Sequence, residues 1–390
     1  MKINIIGNIL GQSGYDIHTR SLANAINKLE DIEVCLTCQL PQNWNMQVSD
    51  DELKMIQSSK EDAEVNLLIG TPPAWEYYLC EDKKFIGFLV FEGNKIPKSW
   101  LDIMDDDRVS QIWCPSIHTH EAILNTLNVK IDAIEHYGKS FRFHPTIGKK
   151  VRVVPHGINP DTYKPIETVT DDIFRYTMCG GWPSSWKDRK GLSYAIKSFM
   201  EEFTIEDKVE MLVKINSCYG IDLNKNLEDL KIQNQKPPKV TFVLDDLKQS
   251  QLNEFYNKGD VFVTTSLAEA FNLPPLESMA CGVPVLSTDF GGMTDFVNEK
   301  NGWLLTEGEM EEVKWDIMYE GISWKKPSIE EIRKKMREIY NDWKDNKRKV
   351  IKSKSEKALE NSKKWTWENS AKIALKNLEQ YLLELETTQK

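Results

Sequence analysis

The chain has 390 residues, 40% hydrophobic and 28% charged, which excludes wholesale disorder and exceeds what one ordinary core holds, so two domains are expected. Its formal net charge of −10 argues against a general nucleic-acid binder, because counterion release needs clustered positive charge. No apolar run is long enough to span a bilayer, the start MKINIIGNIL does not resemble a signal peptide, and seven scattered cysteines fit a reducing cytoplasm better than a disulfide framework.

The opening reads as strand, glycine loop and helix: KINIIG, then NILGQSG, then YDIHTRSLANAINKL with apolar residues at helical spacing. Further apolar runs follow at IEVCLTC, VNLLIG, FIGFLVF, QIWCPS and VRVVPHG, alternating with polar or helix-patterned segments. That alternation predicts a parallel sheet wound on both faces. The segment NPDTYKPIETVTDD carries two prolines among polar residues and reads as an interdomain linker. The pattern then restarts with RYTMCGG and the amphipathic GLSYAIKSFMEEF, and VEMLVKI, KVTFVL, DVFVTTS, VPVLSTD and GWLLT supply further strands. From Ser328 onward the pattern is almost wholly helical, and Thr366 is placed to cap the last helix. Ligands of such sheets bind at the carboxyl ends of the strands, so functional residues are sought on strand-to-helix loops.

Several features point away from chemistry. Cys35 and Cys38 form a C-x-x-C inside a strand-like segment, with no second pair to complete a zinc site. His118 and His120 are two apart at the start of a helix and do not share a face. His156, in VVPHGI, reads as structural. Trp75, Tyr77 and Tyr78 follow GTPPA on a loop of the first half and are read first as core packing. Residues 325–364 hold 15 Lys and Arg against 7 Asp and Glu, which is read first as a solvated helical face and second as contact with an anionic membrane surface.

The informative stretch is SLAEAFNLPPLESMACGVPVL, residues 266–286, in which Glu269 and Glu277 bracket seven residues with two adjacent prolines. Proline favours a first helical turn, and Gly282 sits where a helix commonly ends. The amides of Asn272 and Leu273 then lie at a helix N-terminus, an anion site suited to a diphosphate. With Glu277 read as part of the first turn, each glutamate can accept hydrogen bonds from a vicinal diol, and ribose, diphosphate and hexose have that layout. On spacing alone, a carboxylate complementing the helix dipole and a surface loop residue explain the pair equally well.

The segment SLAEAFNLPPLESMACGVPVLSTDFGG resembles the E-x7-E run of retaining glycosyltransferases of family 4, and the similarity extends over nearly the whole chain. It takes in the opening glycine loop, WCPS, VVPHGINPDTYKP and KDRKGLSYAIKSF. The resemblance implies a GT-B fold: two Rossmann-like doubly wound domains facing a central cleft, with a last helix crossing back to the first domain. The expected boundaries are 1–162 for an acceptor-side domain, 163–364 for a nucleotide-sugar-binding domain and 365–390 for the returning helix. It further implies that Glu269 contacts the donor sugar, Glu277 the ribose, and Lys190 the leaving diphosphate. Arg189, or Lys187, stands in for an arginine that relatives carry after the strand-end glycine. Phe271, Asn272 and Leu273 line the donor, although Glu-Ala-Phe-Asn replaces the usual Glu-Gly-Phe-Gly. Gly14 matches the glycine whose amide faces donor phosphate or acceptor. Glu92, read as ending a strand, stands where relatives often have a sugar-contacting histidine. The expected activity is retaining transfer of a hexosyl unit from a UDP- or GDP-linked sugar to a glycan, lipid or protein acceptor, with no metal and no cofactor. The alternatives are a sugar-nucleotide epimerase of the same fold and a non-catalytic sugar-nucleotide-binding protein.

Overall fold

Runs such as KINIIG and VNLLI are mostly apolar and buried at every position, Lys2, Asn4 and Asn66 included, which suits strands covered on both faces. In the computed structural model each becomes one strand of a parallel sheet. The structure describes residues 1–11, 13–39, 48–127, 145–167, 171–183, 188–216, 221–314 and 317–388. The first sheet comprises β1 (Lys2–Gly7), β2 (Glu33–Cys38), β3 (Val65–Ile69), β4 (Lys84–Phe88), β5 (Val109–Cys114) and β6 (Val151–Val153). Their order is β2-β1-β3-β4-β5-β6, and every pairing is parallel.

The second sheet holds β7 (Phe174–Gly180), β8 (Val209–Ile215), β9 (Lys239–Val243), β10 (Val261–Thr264), β11 (Val285–Thr288) and β12 (Gly302–Leu305). It is likewise parallel, in the order β12-β11-β10-β7-β8-β9. Alternation along its strands divides the core. Tyr176, Met178, Met211 and Val213 pack with Ile196 and Phe199 of the helix Leu192–Glu202 and with Ile332 and Met336 of the helix Ile329–Asp345. The intervening residues Thr177, Cys179, Leu212 and Lys214 belong to the other face.

By contacts the chain forms two compact units. One is Met1–Gly157, Val313–Ile322 and Trp365–Lys390; the other is Ile158–Glu312 and Ser323–Lys364. Within the first, the C-terminal helix Trp367–Thr388 packs on the helix Gly14–Ile26. The Gln111 amide anchors it on the Asn377 carbonyl at 2.9 Å, and Thr366 caps its start by accepting from Asn369 N–H at 3.2 Å. A feature the pattern did not announce is the antiparallel ribbon of β13 (Gly308–Glu312) and β14 (Ser323–Pro327). The residues linking these two strands, Val313–Ile322, lie in the first unit, where the Tyr319 ring stacks on Phe91 at 5.4 Å.

Candidate active site

In the second sheet the chain runs outward through β7, β8 and β9, then returns to place β10 on the other flank of β7. Between the carboxyl ends of β7 and β10 the order reverses, the place where open parallel sheets bind ligands. Two loops meet there, Asp188–Gly191 before the helix Leu192–Glu202 and Thr265–Asn272 after β10.

The loops are fastened through backbone carbonyls of the first. Leu267 N–H donates to the Arg189 carbonyl at 2.8 Å, the Thr265 hydroxyl to the Gly191 carbonyl at 2.6 Å, and the Ser266 hydroxyl to the Lys190 carbonyl at 3.3 Å. Asp188, buried below them, accepts from the amides of Leu192 at 3.1 Å and Ser193 at 2.6 Å. It thereby fills the role of a helix N-terminal cap. Burial pushes its carboxyl up to about 6, against the opposing pull of those amides.

This frame brings Lys190, Arg189 and Glu269 together. The Glu269 carboxylate is 4% exposed. It accepts from Lys190 Nζ at 2.6 Å, Arg189 Nη1 at 2.9 Å and the Ser266 hydroxyl at 3.0 Å. Burial acts to raise its pKa, but the two cations outweigh burial and hold it below the usual carboxylate range. Both basic side chains remain about a quarter exposed, so they are open to a ligand while Glu269 is fixed. Lys187 lies outside the described residues.

Leu273 begins the helix Leu273–Ala280, and Asn272 before it takes φ 78°, in the left-handed region that Asn tolerates better than most residues. Its side-chain amide donates to Thr264 Oγ1 at 3.1 Å. Pro274 and Pro275 carry no N–H, so the first-turn donor of this helix is the Leu273 amide. Phe271 is buried with its ring 5.2 Å from Phe296, which leaves only its backbone for a ligand. Glu277 is the fifth helical residue, one turn deeper than a first-turn position. Its Oε2 accepts from the Tyr256 hydroxyl at 2.6 Å, and the Tyr163 hydroxyl also bonds this carboxyl. Burial raises its pKa and the two phenols partly offset that.

The remaining predicted residues sit in the first unit. Gly14 is the first residue of its helix, with Ser13 as cap; Asp16 accepts from Gly11 N–H at 2.7 Å and Ser13 N–H at 3.1 Å. Arg20 donates to the Gly11 carbonyl at 2.8 Å and to that of Ile9, closing the glycine loop from below. Glu92 does not end a strand, since β4 stops at Phe88; its Oε1 accepts from the Tyr319 hydroxyl at 3.0 Å. Trp75 is fully buried beneath Gly87, whereas Tyr77 is 86% exposed. His156 is buried with its ring 4.1 Å from that of His18 and 5.7 Å from Trp367. No group of three or more His, Cys, Asp or Glu is placed to hold a metal among the described residues.

Sequence reasoning missed Tyr163, Tyr256, Asp188 and Ser266. Tyr163 lies in the supposed linker, which is pinned by Lys164 N–H donating to Asn253 Oδ1 at 3.0 Å. An aromatic among prolines and polar residues was the available signal, since a free linker has no use for one.

Residues 184–358, which include Lys190, Glu269 and Glu277, match the family described as Glycosyl transferases group 1. The matched segment, 175 of the 390 residues, belongs to this family. Against a probable sucrose-phosphate synthase of Thermosipho melanesiensis, the chain is 27% identical over 243 residues, covering 60% of its own length and 49% of that protein's. It spans about half the length, or less, of the curated relatives it matches. A glycosyltransferase from Rickettsia africae shares its fold with a TM-score of 0.66 at 16% identity, over 97% of each chain. So does HepE of Anabaena, solved with UDP-glucose, with a TM-score of 0.60 at 14% identity over 99% of this chain and 100% of that one. The fold is GT-B, two Rossmann-like domains with the C-terminal helix on the first. No described helix is long and apolar enough to cross a membrane.

Proposed function

We propose that this protein is a group 1 glycosyltransferase that moves a hexosyl unit from a nucleoside-diphosphate sugar to an acceptor hydroxyl with retention at the anomeric carbon. The supporting observation is the fixed Glu269 with Lys190 and Arg189, at the strand-order reversal and beside the start of the Leu273–Ala280 helix. In this reading the bond from the anomeric carbon to the diphosphate oxygen breaks, and the negative charge that develops is met by Lys190, Arg189 and the Leu273 amide. The acceptor oxygen bonds to the same face of that carbon, and its proton passes to the departing diphosphate. Glu269 orients sugar hydroxyls, Glu277 holds the ribose diol through the oxygen positions that Tyr256 and Tyr163 leave available, and Phe271 and Asn272 shape the loop around the donor. On the first unit, Gly14 is assigned to the donor phosphate or the acceptor, and Glu92 to sugar hydroxyls or the acceptor nucleophile.

The test is a thermal-shift and hydrolysis screen against UDP-glucose, UDP-N-acetylglucosamine, UDP-galactose and GDP-mannose, run with and without a chelator. Stabilisation by one donor with slow release of its nucleoside diphosphate, unchanged by chelation, is expected. Interconversion of the sugar without release would make the protein an epimerase, and no response to any donor would refute the reading.

A further inference from the structure

β8 ends in a residue that does not fit a buried parallel strand. Met211, Val213 and Ile215 face the core shared with Phe199 and Met336, so Lys214 projects from the opposite face. It is only 5% exposed. Its Nζ donates to the Ile215 carbonyl at 2.7 Å, the one acceptor it has among the described residues. An ammonium carries three N–H donors, and lysines are rarely this buried unless paired. Among the described residues, Lys214 therefore holds a buried ammonium with most of its hydrogen-bonding capacity unused, an arrangement that costs stability.

Its position shows what would use that capacity. Lys214 is registered against Cys179 on β7, one strand spacing of about 4.8 Å away. The Cys179 thiol lies in the fields of Glu277, Lys214 and Lys190 together. Lys214 is thus grouped with the two residues assigned to ribose and diphosphate. The charge balance points the same way. Lys190 and Arg189 share the Glu269 carboxylate, so that trio has a surplus of one positive charge, whereas a nucleoside diphosphate carries at least two negative ones.

We propose that Lys214 is a donor-binding residue whose buried ammonium pairs with an anionic oxygen of the nucleoside diphosphate; this rests on the proposed function. The test compares wild type, Lys214→Met and Lys214→Arg by calorimetric titration with UDP, GDP, uridine and guanosine, alongside melting of the ligand-free proteins. Methionine is of similar length and apolar, so Lys214→Met should fold and melt above wild type without ligand, because an uncompensated charge is gone. Its affinity for the preferred diphosphate should fall at least about tenfold, as for loss of a charge-assisted bond. Its affinity for the matching nucleoside should stay within about twofold, and Lys214→Arg should recover most of the loss. Diphosphate affinity equal to wild type in Lys214→Met would overturn the inference alone. So would a lower melting point with parallel loss of nucleoside binding, the mark of a purely structural lysine. If wild type binds neither diphosphate, the donor-site reading itself falls.

Discussion

Gly191 is where geometry and function are most tightly joined, and replacing it with alanine makes a quantitative test. Its φ is +71°, and a Cβ there would stand 2.0 Å from the Thr265 carbonyl oxygen and 2.5 Å from the carbonyl carbon. The obstacle is backbone, so no rotamer change relieves it. Two costs add: about 1–2 kcal/mol for an L-residue in the left-handed region and about 1–3 kcal/mol for overpacking. The expected destabilisation of Gly191→Ala is about 2–5 kcal/mol. Relief of the clash requires the two loops to separate by more than 1 Å, which breaks the Thr265 hydroxyl bond at 2.6 Å and draws Lys190 and Arg189 off Glu269. Urea unfolding measures the first effect and donor affinity the second. Gly14→Ala is the matched control, because a Cβ there meets nothing within 4 Å and the residue opens a helix; it should be neutral or stabilising by up to about 1 kcal/mol. The reasoning is refuted if Gly191→Ala lies within about 0.5 kcal/mol of wild type, or if the two variants lose equally.

Glu269→Gln keeps the shape but cannot serve two cations, so donor turnover should drop at least about 100-fold with little change in the urea midpoint; full turnover would remove Glu269 from the site. Burial lowers His18 well below its ordinary value and His156 to about 3. The unfolded chain takes up their protons below about pH 6.5 and the native chain does not, so their contribution is whole above that pH. It falls by about 1.4 kcal/mol per pH unit for each as the solution is acidified. Asp188, raised to about 6, works in the opposite direction between about pH 4 and 6, which is why the comparison is with His18→Phe: urea midpoints between pH 6.5 and 4.5 should show a shallower loss than wild type. Truncation after Lys364 removes Trp367, Ala371, Ala374 and Leu378, all buried, and uncovers the helix Gly14–Ile26; a loss of at least about 5 kcal/mol in the first unit is expected, and an equally stable truncated chain would contradict the packing described. Tyr319→Phe removes the hydroxyl that donates to Glu92, and should raise KM for the acceptor more than it lowers kcat; unchanged acceptor kinetics would separate Glu92 from that role.

The sheets were legible because a buried parallel strand leaves few choices: every apolar run named in the sequence became one. The E-x7-E segment was legible for a related reason, since two prolines and a following glycine bound a short helix by local sterics. What escaped was long-range. Lys190 and Glu269 are 79 residues apart, and no local pattern states that one carboxylate holds both basic side chains. Tyr163 reads as linker until Asn253 and Glu277 are brought to it. The ribbon β13–β14 escaped for another reason: Gly308–Glu312 is exposed at every residue, so it carries no period-two alternation to find.

Charge was the least readable property, because composition counts charges and the fold decides where they are spent. Of the basic residues in 325–364, Arg333 and Arg337 pair with Glu202, Arg337 also with Asp207, and Arg348 with Asp260. Lys354 caps the Gly302 carbonyl and lies 5.0 Å from the Trp303 ring. Part of what looked like a basic face therefore fastens helices to their own unit. The same accounting gives the candidate site its logic under the proposed function. With no ligand, Glu269 occupies Lys190 and Arg189, which keeps the buried carboxylate ionised and fixed. An arriving diphosphate competes for those two cations, and each bond it takes frees a Glu269 oxygen to accept from a sugar hydroxyl. Binding of the leaving group and orientation of the sugar are then one exchange of partners rather than two separate events.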